Sequence, residues 1–119
     1  MSSNNIRKMT GPELKELIKG KLPVLVKFYA PWCAPCRAME PVFNRLAELF
    51  AGRAVFAENN IDGNPDFANE NDVRAVPTFV LFSDGKAIGK LVGATSEKAL
   101  ANLLRLAVGN IPEILALAV

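Results

Sequence analysis

The chain has 119 residues, half of them apolar and 22% charged, with a formal net charge of +2 and no histidine. That length suits one ordinary domain able to bury its own core, and the balance is that of a globular protein. Basic residues are scattered rather than blocked, so nothing argues for nucleic acid. No apolar run reaches the roughly 18 residues of a membrane span, and without histidine every Ser-His or Cys-His scheme is excluded.

In chain order, "MSSNNIRKM" lacks the apolar segment and small-residue cleavage site of a secretory signal, so a cytoplasmic location is expected. Thr10 with Glu13 predicts a capping box, Pro12 suits a first turn, and Leu14, Leu17 and Ile18 continue a short helix that Gly20 stops. "VLVKFY" (24–29) is an apolar, β-branched run of strand length, as in a strand covered on both faces. Helical spacing of Met39, Val42, Phe43, Leu46, Leu49 and Phe50 predicts one helix over 32–51, ended by Gly52 and kinked where Pro41 removes a hydrogen bond. "AVFAENNI" (54–61) reads as a strand and 65–72 as a short helix or turn. "TFVLF" (78–82) and "AIGKLV" (87–92) are strands joined by a Ser83-Asp84-Gly85-Lys86 hairpin, and an amphipathic helix follows from Ser96 to Val108. Such an order indicates an α/β sandwich around a mixed sheet.

The chain's two cysteines, Cys33 and Cys36, stand in "WCAPC". A structural bridge across so few residues restricts the unfolded chain by only roughly 2 kcal/mol, against nearly 5 for a loop of about 100 residues. Pro35 already stiffens the segment, which makes the pair a poor staple. A closed zinc site wants four ligands and the pair supplies two, which leaves only a metal bridged between two chains. Redox chemistry remains. If a helix begins near Cys33, its unpaired N–H groups and positive dipole end stabilise a thiolate below the free pKa of about 8.5. Cys36 lies one turn on, within disulfide reach. Cys33 is then expected exposed at the tip, as the attacking thiol, with Cys36 shielded beneath it as the resolving thiol.

From these residues outward the sequence resembles the thioredoxin family. "FYAPWCAPC" is similar to the family's Trp-Cys-Gly-Pro-Cys site, with Ala34 in place of glycine. "NNIDGNP" (59–65), "AVPTFVLFSDGK" (75–86) and "LVGA" (91–94) match the later landmarks in order, over about residues 10 to 108. The resemblance implies the thioredoxin fold, a mixed central sheet of four to five strands with helices on both faces. It implies a thiol-disulfide oxidoreductase, a general dithiol reductant and electron carrier with no bound cofactor. The partners implied are disulfide-containing proteins and an NADPH-dependent thioredoxin reductase that reduces the Cys33–Cys36 disulfide. Val76-Pro77 would be the family's cis-proline dipeptide, its missing N–H leaving Val76 free to align a substrate strand. Trp32, Ala34, Pro35, Val76, Pro77, Val92, Gly93 and Ala94 would form an apolar docking rim, with Ala34 and Pro35 also tuning the redox pair. Read without the resemblance, Val76 and Val92 are ordinary core residues.

Two positions depart from the family pattern together. Lys27 stands where the family carries a buried aspartate that exchanges protons with the second cysteine, and Glu58 stands where it carries lysine. The reciprocal exchange predicts a contact between them; the alternative is a snorkelling Lys27 and a solvated Glu58. To serve as a neutral base at pH 7, a buried Lys27 must have its pKa fall from about 10.4 to below 7, roughly 4–5 kcal/mol. Pairing with Glu58 offsets part of the desolvation, so the paired ammonium is the expected state. Lys27 then favours the thiolates and Glu58 takes the proton-accepting role. Tyr29, where the family often has tryptophan, is expected beside Asp62.

Residues 1–108 form the expected domain, and "GNIPEILALAV" (109–119) extends past it. This apolar extension folds back, forms a dimer contact on an otherwise monomeric protein, or frays. Two other functions compete. Oxidases and isomerases of oxidising compartments usually carry histidine between the cysteines, and here the pair encloses Ala-Pro. A binding module with incidental redox activity does not need both cysteines, Trp32 and Pro77.

Overall fold

Burial on both faces explains the long apolar run. A computed structural model of the chain describes residues 5–63 and 65–108. In it β2 (Val24–Tyr29) is the middle strand of a five-stranded sheet in the order β1-β3-β2-β4-β5. Here β1 is Ile6–Lys8, β3 Val55–Asn60, β4 Thr78–Ser83 and β5 Lys86–Val92. The β1, β3 and β2 strands run parallel, while β4 and β5 run antiparallel, so the sheet is mixed.

Alternation along β2 sends Val24, Val26 and Phe28 to one face and Leu25 and Lys27 to the other. The first face packs with Leu14 of α1 (Gly11–Leu17) and Phe67 and Ala68 of α4 (Pro65–Glu70). The second packs under Phe43 and Leu46 of α3 (Glu40–Leu49) and Leu100 and Leu104 of α5 (Glu97–Val108). Helices thus cover both faces, as expected. The capping box forms, with Glu13 Oε1 accepting from the Thr10 N–H at 2.8 Å. The hairpin closes through Asp84 and Gly85, whose φ angles of 54° and 80° give the left-handed turn that matches strand twist.

One reading needs correction, and one strand was unforeseen. The helix expected over 32–51 is two segments, α2 (Ala34–Ala38) and α3, broken at Met39. Pro41 has no N–H for the Arg37 carbonyl, and the break falls at Met39, two residues before the proline, which takes up a first-turn position of α3. The strand β1 had no expectation attached. It has one apolar residue, Ile6, too little periodicity to register, and its ladder comes entirely from β3. The extension 109–119 lies outside the described residues, as does Asn64.

Candidate active site

The end of β2 delivers the chain through Ala30 and Pro31 to the cysteine turn. Cys33 is the N-cap of α2, in extended conformation, and its Sγ accepts the Cys36 N–H at 3.1 Å. The Cα atoms of Cys33 and Cys36 lie 5.3 Å apart and the two side chains form a disulfide. An N–H aimed at Cys33 Sγ favours a thiolate there once the disulfide opens.

Accessibility differs from expectation. Instead of standing at an exposed tip, Cys33 is only 3% exposed, against 2% for Cys36. The capping bond folds the Cys33 side chain back over the first turn, and Ala30, Tyr29, Ile61 and Val76 pack around the pair. Exposure belongs to the neighbours: Trp32 is 67% exposed, and Ala34 and Pro35 also face solvent.

Of the expected rim, Val76 packs on the cysteine cluster, and Val92 is 64% exposed. The Val76-Pro77 bond is cis. The Gly93 N–H donates to the Pro77 carbonyl at 2.7 Å, which ties the 92–94 segment to the dipeptide, with Ala94 exposed beyond it. Pro77 itself is buried, so it offers no apolar surface and its place in the rim is structural. The indole of Trp32 donates to Asp62 Oδ2 at 2.9 Å, a partner that the sequence did not reveal. Tyr29, expected beside Asp62, packs on the cysteines.

Lys27 and Glu58 are register partners on adjacent strands, and Lys27 Nζ lies 3.6 Å from Glu58 Oε2. With Lys27 only 1% exposed and Glu58 7%, the snorkelling alternative is ruled out. Lys27 Nζ also donates to the Cys36 carbonyl at 2.8 Å and lies 5.8 Å from the centre of the Phe43 ring. Burial lowers the pKa of Lys27, while the negative charges of Glu58 and Glu40 oppose the shift. At this separation, with an effective dielectric constant of about 20, the pair attraction is on the order of 4 kcal/mol. That is comparable with the several kcal/mol each ion loses on leaving water. The pair is therefore tolerated rather than strongly stabilising.

Beside Cys36 a cavity of about 150 Å³ opens between β1, β2, β3 and the helix start, walled in part by Lys27, Glu58, Glu40 and Lys8. Glu40 and Lys8 were missed in the sequence. Glu40 follows Cys36 by four residues, a helical neighbour spacing that offered a signal; Lys8 needed the unforeseen β1. Among the described residues no three His, Cys, Asp or Glu side chains gather where they could hold a metal, and no helix is long and apolar enough to cross a membrane.

The Thioredoxin family model matches residues 5–106. Thioredoxin 1 of Synechococcus elongatus is 38% identical over 90 residues, 76% of this chain and 84% of that protein. Thioredoxin of Pyropia yezoensis is 39% identical over 90 residues, again 76% and 84%. A mutant thioredoxin from Halobacterium salinarum NRC-1 matches in structure with a TM-score of 0.82 at 36% identity, covering 94% of this chain and 98% of that one. The oxidised form of mitochondrial thioredoxin 3 from Saccharomyces cerevisiae gives 0.77 at 38% identity, covering 84% and 93%.

Proposed function

The chain belongs to the thioredoxin family and is a thioredoxin-type disulfide oxidoreductase whose redox group is the Cys33–Cys36 pair, and on that premise we propose how its residues divide the work. Cys33 is the nucleophile. Its thiolate attacks one sulfur of a substrate disulfide, forming a mixed disulfide and releasing the first substrate thiolate. Cys36 then gives up its proton and attacks Cys33 Sγ. The mixed disulfide breaks, the second substrate thiolate leaves with the electron pair, and the Cys33–Cys36 disulfide results. Two electrons have passed to the substrate. The observation that carries this division is the Cys36 N–H held on Cys33 Sγ, which stabilises negative charge on that sulfur and not on the other.

Because both sulfurs are buried, the substrate chain docks over exposed Trp32, Ala34, Pro35, Val92 and Ala94 and half-buried Val76 and Gly93, and contact there brings its disulfide to Cys33. Val76 offers its backbone to an extended substrate segment. Ala34 and Pro35 set the stiffness of the turn, and Lys27 with Glu58 tunes the charge beneath it. The protein works in the reducing direction as a cytoplasmic electron carrier, its disulfide reduced by an NADPH-dependent thioredoxin reductase. Supporting this are the Ala-Pro pair between the cysteines and the names of the relatives.

Reduction of insulin disulfides by dithiothreitol tests the reading. The protein is expected to accelerate precipitation of the insulin B chain, and Cys33→Ser to abolish the acceleration. Acceleration that survives Cys33→Ser, or none in the wild type, overturns it. For the direction of electron flow, a reduction potential on the oxidising side of the glutathione pool would reverse the assignment.

A further inference from the structure

Between the end of α4 and the start of β4 the chain turns and brings Val76-Pro77 to the redox pair. The turn is made at Asp72, whose φ of 55° is left-handed backbone at a residue that carries a Cβ. The Asp72 N–H donates to the Asn69 carbonyl at 3.1 Å and the Val73 N–H to the Ala68 carbonyl at 2.9 Å, the two bonds of a Schellman ending. The carbonyls of Asn71 and Asp72 lie beyond those bonds.

Lys90 takes both. Its Nζ donates to the Asn71 carbonyl at 2.8 Å and to the Asp72 carbonyl at 3.1 Å. Lys90 stands on β5 opposite Val80 of β4, so its ammonium reaches across a groove of about 390 Å³ between the sheet edge and the helix end. A cation suits that place, since the carbonyls at a helix end carry partial negative charge and an ammonium has three donors and no acceptor. Just past β5, the Gly93 N–H holds the Pro77 carbonyl. Residues 90–93 thus tie both ends of the segment 71–77 to β5, and Val76 lies between the ties. Inside the segment, Arg74 pairs with the Asp72 carboxylate at 2.8 Å, and the Thr78 hydroxyl donates to the Ala75 carbonyl at 2.7 Å. A residue with a Cβ resists left-handed backbone, so a bond to the carbonyl of Asp72 itself holds a turn that would otherwise relax.

We propose that Lys90 is a positioning residue for substrate docking. By holding the Asn71 and Asp72 carbonyls it fixes the turn at Asp72, and so presents the Val76 backbone at a set distance from Val92 on the other side of the docking surface. It touches no reacting atom. The substrate it serves is an extended polypeptide segment that carries a disulfide; a small aromatic disulfide, which reaches Cys33 without pairing to Val76, is indifferent to it. The proposal rests on the reading that substrate docks along Val76 and Val92.

Initial rates of insulin reduction at saturating dithiothreitol, with insulin varied, separate KM from kcat. In Lys90→Met the KM for insulin is expected to rise by about threefold to tenfold with kcat within about twofold of wild type, the pattern of lost uniform binding. Reaction of the reduced protein with dithiobis-nitrobenzoate should keep its wild-type rate. Lys90→Arg retains donors for both carbonyls and should restore most of the KM. Lys86→Met removes the same charge from the far end of β5 and should leave KM unchanged; an equal rise there makes the effect one of surface charge and overturns the tether. So does an unchanged KM in Lys90→Met, or equal slowing toward insulin and dithiobis-nitrobenzoate. Val92→Glu separates the two readings. A raised KM in Val92→Glu with none in Lys90→Met refutes the tether alone, whereas no rise in Val92→Glu refutes docking on this surface, on which the tether depends.

Discussion

Two register pairs on the same two strands and the same sheet face have opposite chemistry. Leu25 of β2 lies opposite Phe56 of β3, and two residues further on Lys27 lies opposite Glu58. The first pair sits in the closed apolar cluster under α3 and α5, where Phe56 meets the rings of Phe43 and Phe50. The second is nearly as buried, yet borders the cavity beside Cys36. Strand geometry treats both pairs alike. What differs is the surroundings: side chains of α3 and α5 enclose the first pair, whereas the second, with Phe43 of α3 on one side, borders the cavity that Lys8 and Glu40 help to line. The charged pair is thus placed where the core gives way to the redox turn.

The largest effect is expected in the apolar pair. Phe56→Ala should cost about 3–5 kcal/mol in urea unfolding, with insulin reduction by the folded fraction retained. Truncating one member of the charged pair should cost somewhat less: Lys27→Met is expected to lose about 3 kcal/mol, because it strands Glu58 beside apolar neighbours. Adding Glu58→Leu should then recover all of that loss or exceed the wild type by about 1–4 kcal/mol, making the second pair resemble the first. If the double variant stays as unstable as Lys27→Met, the charged pair contributes net stability and the contrast drawn above is wrong.

A smaller effect concerns pH. The folded state holds the Lys27 proton less tightly than the unfolded chain does. As pH rises between the lowered folded value and about 10.5, the unfolded chain binds more protons, so wild-type stability rises relative to a variant without the lysine. The advantage is fully present above the unfolded value and is lost as pH falls through the folded one. Unfolding free energies of wild type and Lys27→Met across alkaline pH should therefore diverge in favour of wild type; parallel curves would remove the burial argument. Smallest of all, Leu25→Met in the apolar pair should cost less than about 1.5 kcal/mol, since volume is conserved.

Much of the site was legible in local sequence because its causes are local. The two cysteines at helical spacing with Pro35 between them left few chemistries open, and Asp84-Gly85 set the hairpin through its own backbone preferences. The Lys27–Glu58 contact was legible only because two unusual residues changed together against the family pattern; no periodicity marks a buried lysine in an apolar strand.

The order of elements, the mixed sheet, the redox pair and the residues of the exchanged ion pair can all be read along the chain, since each depends on near neighbours or on residue type. Long-range packing settled the rest: the pairing of β1, the burial of Cys33, the bond from Trp32 to Asp62, and the cavity that gathers Glu40 and Lys8 beside Cys36. Burial and cavities depend on what distant segments leave covered or empty. No single stretch of the chain encodes the space between β1, β2, β3 and the break before α3.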